Sequence, residues 1–346
     1  MSSTKTHFVR SATSYLCTVG GHTFRQPEQD GLQVMVFEDH VDMVDMLTVR
    51  VGGAEEQPEW GFEIGQSASL QLGSGTQMFE GEITAIEPGF QVEGISTMTV
   101  RCLDRMHRLG RGRKTRFWED VKDSDVAAEV GAECGLAVDA EDTGEVLPYI
   151  IQRNESNVAF LKRLAARNNF QLRVQDGKLL FKSASFGGSP VKIEMGESLR
   201  SIRMSFNSMD MVQKVVVRGW DIMTKEEIVG QASTGDVTPM GDGQLGASIA
   251  GQFGDATAYI TDVPVATQSQ ANQIAKAEME RLARQFCHGT CTVVGNDQIR
   301  AGTMVEFSGL PSGLNGKFYV MATRHVISNR SGYTTELTFC SNTMGS

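Results

Sequence analysis

Tryptophan and proline are scarce, at 3 and 8 of 346 residues, aromatic residues make up 7%, and no window approaches eighteen consecutive apolar residues. The last of these excludes a helical membrane span. The opening "MSSTKTHFVRSATSY" has no apolar core of a signal peptide, so the expectation is a chain made and kept soluble in a cytoplasm. Basic residues are the minority, 32 against 42 acidic, and a net charge of -10 gives nucleic acid or anionic lipid no general attraction. Missing too are GxSxG, HExxH, a P-loop and GxGxxG, and the six histidines stand apart from one another. Catalytic groups can be dispersed in sequence, so missing motifs do not rule out activity. They weight the reading toward a structural protein with no catalytic, cofactor or metal residue to name.

Six cysteines without an export signal read as reduced thiols. The tightest grouping, Cys287, His288 and Cys291 in "CHGTC", offers three soft donors where structural zinc needs four. It reads as a helix running into a strand with two small apolar cysteines. Asp39, Asp42 and Asp45 in "DHVDMVD" lack the glycine and terminal glutamate of a calcium loop, and read as a solvated connection between strands.

What the chain has is alternation. Glycine is abundant at 37, and 32–39, 46–53, 68–75, 78–89 and 97–104 alternate apolar with polar residues between glycines and prolines, which predicts an antiparallel sheet with one wet face or a small barrel. A basic run follows, Arg105, Arg108, Arg111, Arg113, Lys114 and Arg116, then Phe117 and Trp118. Such a run could hold phosphates and stacked bases. In an acidic chain it reads better as a solvated connector or a patch for an acidic protein surface.

Helical spacing appears next. Ser124 is placed to cap a helix carrying Val126, Val130 and Cys134, ended by Gly135. In "YIIQRNESNVAFLKRLAARNNFQLRV" Ser156 caps a second helix whose Phe160, Leu161, Leu164 and Ala165 form a stripe while Lys162, Arg163 and Arg167 face water. Gln175, Asp176 and Gly177 predict a hairpin turn. The unit is a compact α+β module. Beyond it, 213–221 reads as a buried strand, about 230–255, including "GDGQLG" at 241–246, as a long loop or flexible arm, and 269–286 as a helix with Ala271, Ala275, Met279, Leu282 and Phe286 on one side.

Three closing strands echo three early ones. "SLQLGS", "FEGEITAI" and "TMTVRCLD" match "MVEFSG", "LNGKFYVM" and "TTELTFCS" in order, aligning Gly81 with Gly316, Ile83 with Phe318 and Val100 with Leu337.

Several segments, in this order, resemble the phage late control D proteins, the central tail hubs of contractile tails, a group that includes the hub portion of VgrG spike proteins. They are "FEGEITAIEP" with "VRCLDRMHRLGRGRKTRFW", "DVKDSDVAAEVGAECGL", "PYIIQRNESNVAFLKRLAARNNFQLRVQDGKLLFK", "VVVRGWDIMTKEEIVGQA" and "ARQFCHGTCTVVGNDQIRAGTMVEFSGLPSGLNGKFYVMATRHVIS". The resemblance implies a mostly β, α+β chain with two tail-tube-like antiparallel barrels. These would occupy 1–110 and, after linker strands and a long helix, 191–346, flanking an inserted module at 111–190 that carries Asn154, Glu155, Phe160 and Leu161. It also implies a homotrimer whose six barrels match a sixfold tube on one side and a threefold spike on the other. Tube, spike and other baseplate proteins are then the partners, with no membrane insertion and no specific nucleic-acid binding. The chain stops at "ELTFCSNTMGS", so the expected spike is a separate polypeptide. Interface residues cannot be named, because a trimer seam and a core strand alternate alike. Two other classes remain beside this one: a tail-associated peptidoglycan hydrolase and a β-rich receptor- or glycan-binding module.

Overall fold

The computed structural model describes residues 14–25, 31–53, 61–73, 75–92, 94–221, 223–328 and 332–345; the stretch read for a leader lies outside them up to residue 13. The first part is all strand: β1 (Tyr15–Val19), β2 (His22–Arg25), β3 (Leu32–His40), β4 (Met46–Gly53), β5 (Ser67–Leu72), β6 (Thr76–Gly89) and β7 (Ser96–Asp104). The middle holds β8 (Lys114–Val121), α1 (Asp123–Glu133), β9 (Ala137–Ala140), β10 (Leu147–Glu155), α2 (Asn157–Arg167), β11 (Phe170–Gln175) and β12 (Lys178–Ser183). Then come β13 (Val191–Glu194), β14 (Leu199–Phe206), β15 (Lys214–Asp221), β16 (Glu226–Ser233), α3 (Gly246–Ala250), β17 (Thr257–Ile260) and α4 (Gln268–Ala283). β18 (Cys287–Val294), β19 (Met304–Ser308), β20 (Gly316–Ser328) and β21 (Gly332–Ser341) close the chain.

The fold is mostly β. Both β-rich halves belong to one curled sheet of 13 strands, ordered β14-β18-β21-β20-β3-β4-β7-β6-β5-β1-β2, with β13 and β19 joined to it through β20. Alternation explains it: in β4 Leu47, Val49 and Val51 turn inward while Thr48 and Arg50 face out. The inward residues form two separate cores. One is built on Leu47, Leu70, Ile83 and Val100. The other is built on Phe307, Phe318 and Phe339, whose ring centroids lie 5.0 to 5.2 Å apart. At such spacings aromatic pairs add to what burial contributes.

The α+β module packs α1 and α2 over small sheets, β8 with β10 and β11 with β12 and β9. Ser156 caps α2 through the Ala159 N–H at 3.3 Å, and Phe160, Leu161 and Leu164 are fully buried, each stabilising the module by about 1.5–3 kcal/mol. Asp176 and Gly177, with φ of 50° and 73°, make the two-residue turn between β11 and β12. Ser124 does not cap α1. Lys122 stands at that end without capping it, its side chain reaching Asp142, and Ser124 hydrogen-bonds Thr143 instead. Arg167 does not face water: it ion-pairs with the buried Asp123, which also accepts from Asn168 at 2.7 Å.

The expected arm at 230–255 is packed structure. Gly230 lies in β16 under α4, where an added Cβ would stand 2.2 Å from the Ala271 backbone. In "GDGQLG", Gly246 starts α3 against the ring of Phe286, 2.1 Å from where its Cβ would be. Gly230, Gly243 and Gly246 are there because other chain comes too close for a side chain, whereas Gly235, Gly251 and Gly254 have room around them. Gly230→Ala is therefore expected to cost about 1–3 kcal/mol in denaturant unfolding, since a backbone neighbour cannot rotate away. Gly187→Ala, where the nearest atom would be 3.9 Å off, is expected to stay within about 0.5 kcal/mol of the parent.

Candidate assembly surface

Five strands of the first half, in sheet order β3-β4-β7-β6-β5, recur as β14-β18-β21-β20-β19. The pairing repeats residue for residue. Ile83 opposes Cys102 and, past a bulge at Thr84, Ala85 opposes Arg101. Val320 likewise opposes Phe339 and, past Met321, Ala322 opposes Thr338. A second bulge falls between Leu32 and Val34 of β3 and between Leu199 and Ser201 of β14. Even the turn into β5 is copied. Gly65 donates to the Ile83 carbonyl and Ile83 to that of Gln66, as Gly302 donates to Val320 and Val320 to Thr303. Both glycines need positive φ, 93° and 83°. From Gly65 to Asp104 the copy lies 237 positions on (65 to 302, 104 to 341) with no insertion.

Aligning Val100 with Leu337 falls in this register. Aligning Gly81 with Gly316 and Ile83 with Phe318 is two residues off, since Gly81 corresponds to Phe318. A slip of two keeps every side chain on its face, so alternation cannot detect it.

The two units meet inside the chain. One edge of β20 serves two partners: Gly316–Tyr319 pair with β19, and Ala322–Ser328 pair with β3. At this seam Asp39 is buried. Its carboxylate accepts from Arg300 Nε at 2.7 Å, the Ala301 N–H at 3.1 Å and the Thr323 hydroxyl. Burial pulls its pKa up, but Arg300, His325 and the Thr323 bond outweigh that and hold the carboxyl below its ordinary range. Arg300 also donates to the Met78 carbonyl at 3.0 Å and lies 5.1 Å over the Phe37 ring. Beside it His325 stacks on Phe37 at 5.8 Å with Nδ1 2.9 Å from the Tyr333 hydroxyl, and burial brings its pKa down to about 4.

The aspartates read as a solvated connection are thus mostly structural. Asp39 and Asp45 are buried and only Asp42 is exposed. Asp45 accepts from the His40 N–H at 3.1 Å and its own N–H donates to Asp104 at 2.8 Å; Asp104 also accepts from Met106 at 2.7 Å. Burial pushes Asp104 up to about 6. Cys287 and Cys291 face the core while His288 points to the opposite face, so the strand splits those three donors.

The basic run is not a connector. It begins at a short helical turn and continues into β8; four of its six charges are paired within the chain, while Arg111 and Arg113 are exposed at the bend between. Arg105 pairs with Glu80 at 3.1 Å, Arg108 with Glu82, and Lys114 and Arg116 with Glu133 at 2.9 and 2.5 Å. Trp118 stacks on Phe160 at 5.3 Å and donates to Glu129.

The outward face of the large sheet is polar. Glu38, Arg203, Thr290, Arg324, Glu336 and Thr338 help line a concavity of about 620 Å³. Arg324 reaches Glu336 at 3.1 Å and Glu38 at 3.5 Å, and Arg101 reaches Glu87 at 3.0 Å, so the face carries paired charge. Arg300 and His325 stand in no motif, and only the duplication could have marked their surroundings.

Removing Arg300 leaves a buried carboxylate without its counter-charge. Arg300→Ala is expected to lower the unfolding free energy by about 3–5 kcal/mol, read from urea midpoints. Asp104 is expected to titrate near 6 by carboxyl-carbon NMR. Its folded pKa lies above the unfolded one, so its contribution to stability falls as pH rises from about 4 to 6.

The fold has been seen before. The 43 kDa tail protein of prophage MuSo2 from Shewanella oneidensis superposes with a TM-score of 0.74 at 16% identity, over 96% of this chain and 100% of that one. A tail protein from Neisseria meningitidis MC58 gives 0.71 at 15%, over 95% and 97%. An E. coli component of the type VI secretion system, described as structurally similar to T4 bacteriophage tail proteins, gives 0.61 at 9%, over 91% and 75%. At these identities the likeness is one of fold. No curated protein matches the sequence. A family model described as the Alg8 N-terminal domain matches residues 62–329, most of the chain and seven of the ten strands of the duplicated units, and the chain therefore belongs to the Alg8 N-terminal domain family.

Proposed function

We propose that this chain is the structural hub of the baseplate of a contractile tail or related injection system, a homotrimer that adapts a sixfold tail tube to a threefold spike. The observation that carries the reading is the residue-for-residue duplication of the five-stranded unit. Three chains with two equivalent units each present six, which is what a threefold object needs to meet a sixfold one. The fold shared with phage tail proteins and with a type VI secretion component supports the same reading.

On this reading the two units are tube-like barrel domains at 1–110 and 191–346, with the α+β module at 111–190 inserted between them. Separate apolar cores at the three places suit such a division. Tube, spike and other baseplate proteins are the partners, and the chain, made in a bacterial cytoplasm, is built into a tail particle. The outward face, with small hydroxyls and charges already paired, suits a channel wall along which cargo slides without being held. Function then rests on extended interfaces, and no catalytic role is assigned.

Light scattering of the purified chain over a range of concentrations is expected to give a species near three times 37.7 kDa. A monomer throughout would count against the hub. The same preparation is expected to leave the turbidity of a peptidoglycan suspension unchanged, whereas clearing would favour the hydrolase.

A further inference from the structure

The duplication leaves a junction half built. Within the chain, the second unit offers the edge of β20 and the first unit fills it with β3. The same edge exists on the first unit, at Ala85–Gly89 of β6, and the strand corresponding to β3 is β14. Among the described residues neither edge has a strand partner on that side. We infer that β6 of one copy pairs with β14 of the next, head to tail, in the register of the internal β20–β3 seam. This rests on the proposed hub and names the contact that would build it.

The register follows by substitution. Thr323 opposes Asp39, Arg324 opposes Glu38, His325 opposes Phe37 and Val326 opposes Val36. Moving each to its counterpart sets Ile86 opposite Phe206, Glu87 opposite Ser205, Pro88 opposite Met204 and Gly89 opposite Arg203 of the neighbouring copy.

Burial shows what the empty junction lacks. At the filled seam Ala301, Thr323, His325, Asp39 and Phe37 are at most 2% exposed. Their counterparts are open or half-open: Ile64 is 71% exposed, Pro88 is exposed, and Ile86, Phe206 and Met204 are half-buried. Ile64 corresponds to Ala301 because it lies just before Gly65, as Ala301 lies before Gly302. A second copy would cover all five.

The chemistry changes in the direction such a contact requires. The internal seam holds an ion pair between the buried Asp39 and Arg300, whereas the empty one has Phe206 at the Asp39 position and Glu63 at the Arg300 position, and would bring Ile86, Pro88 and Ile64 against Phe206 and Met204 with Glu63 beside them. An apolar centre suits chains that must find each other from solution, where desolvating a charge is costly. On the outward face Glu87, already paired with Arg101, would stand opposite Ser205 and diagonal to Arg203, an opposite-charge contact where the internal seam sets Arg324 directly opposite Glu38. Pro88 has no N–H, so this ladder is one donor poorer than the internal one.

The test is a disulfide cross-link across the predicted junction. Glu87 and Ser205 are both exposed and polar, so Glu87→Cys with Ser205→Cys in one chain should fold. After mild oxidation the expected product on a reducing-agent-free denaturing gel is one covalent species of three chains, and mixing the two single variants should give covalent dimers only. Glu87→Cys with Thr338→Cys, on the same face but inside the sheet, should give neither. An uncross-linked protein that still scatters as a trimer would overturn the edge pairing and leave the hub standing. A monomer with no cross-link at any concentration would overturn both.

Discussion

Everything in the large sheet depends on the pairing of β20 with β3. Without it the chain would hold two separate sheets, of seven and six strands; with it they share one hydrogen-bonded surface. The Asp39–Arg300 contact fixes that seam more by direction than by strength. The carboxylate is satisfied only when Arg300 from one unit, Thr323 from β20 and its own β3 converge. A slip of one residue would turn Asp39 and Phe37 together to the wet face and leave the half-buried Arg300 beside Met78 without its anion or its ring. Buried ion pairs are weak sources of stability but strong selectors of register, and this one stands where a register has to be selected.

The α+β module behaves differently. Its core takes in Met106 and Leu109 from the turn that precedes it, and its helices are held by local devices: the Ser156 cap, the Asp176–Gly177 turn and the pair between Asp123 and Arg167. Of the basic run that leads into it, Arg105 and Arg108 pair with Glu80 and Glu82 of the first unit, and Lys114 and Arg116 tie β8 to α1 within the module.

How much of this was legible in the sequence follows from the range of each signal. Strands with one wet face were plain, because a period of two is local: Leu47, Val49 and Val51 declare themselves. The stripe of α2 was equally plain. The burial of Asp39 and the work of Arg300 were not, because the two residues lie far apart in the chain and satisfy each other only after folding. The glycines of 230–255 misled for a related reason, since a glycine needed for close approach looks the same as one needed for freedom. The duplication was half visible. Its third strand was placed in register and its first two were slipped by two, the one error that alternation cannot expose.

The matched bulges at Thr84 and Met321, and at the starts of β3 and β14, bear on more than alignment. A bulge increases the local twist of a strand and so sets how sharply the sheet turns from one strand to the next. Two units with these bulges at the same places share the devices that set the turn of β3, β6 and their copies, although few of their side chains agree. Substitution is thus cheap along these strands and insertion is not. Gaining or losing one residue at one bulge would give the two units unequal turns, and equal arcs repeated around an axis would become a figure whose ends no longer meet.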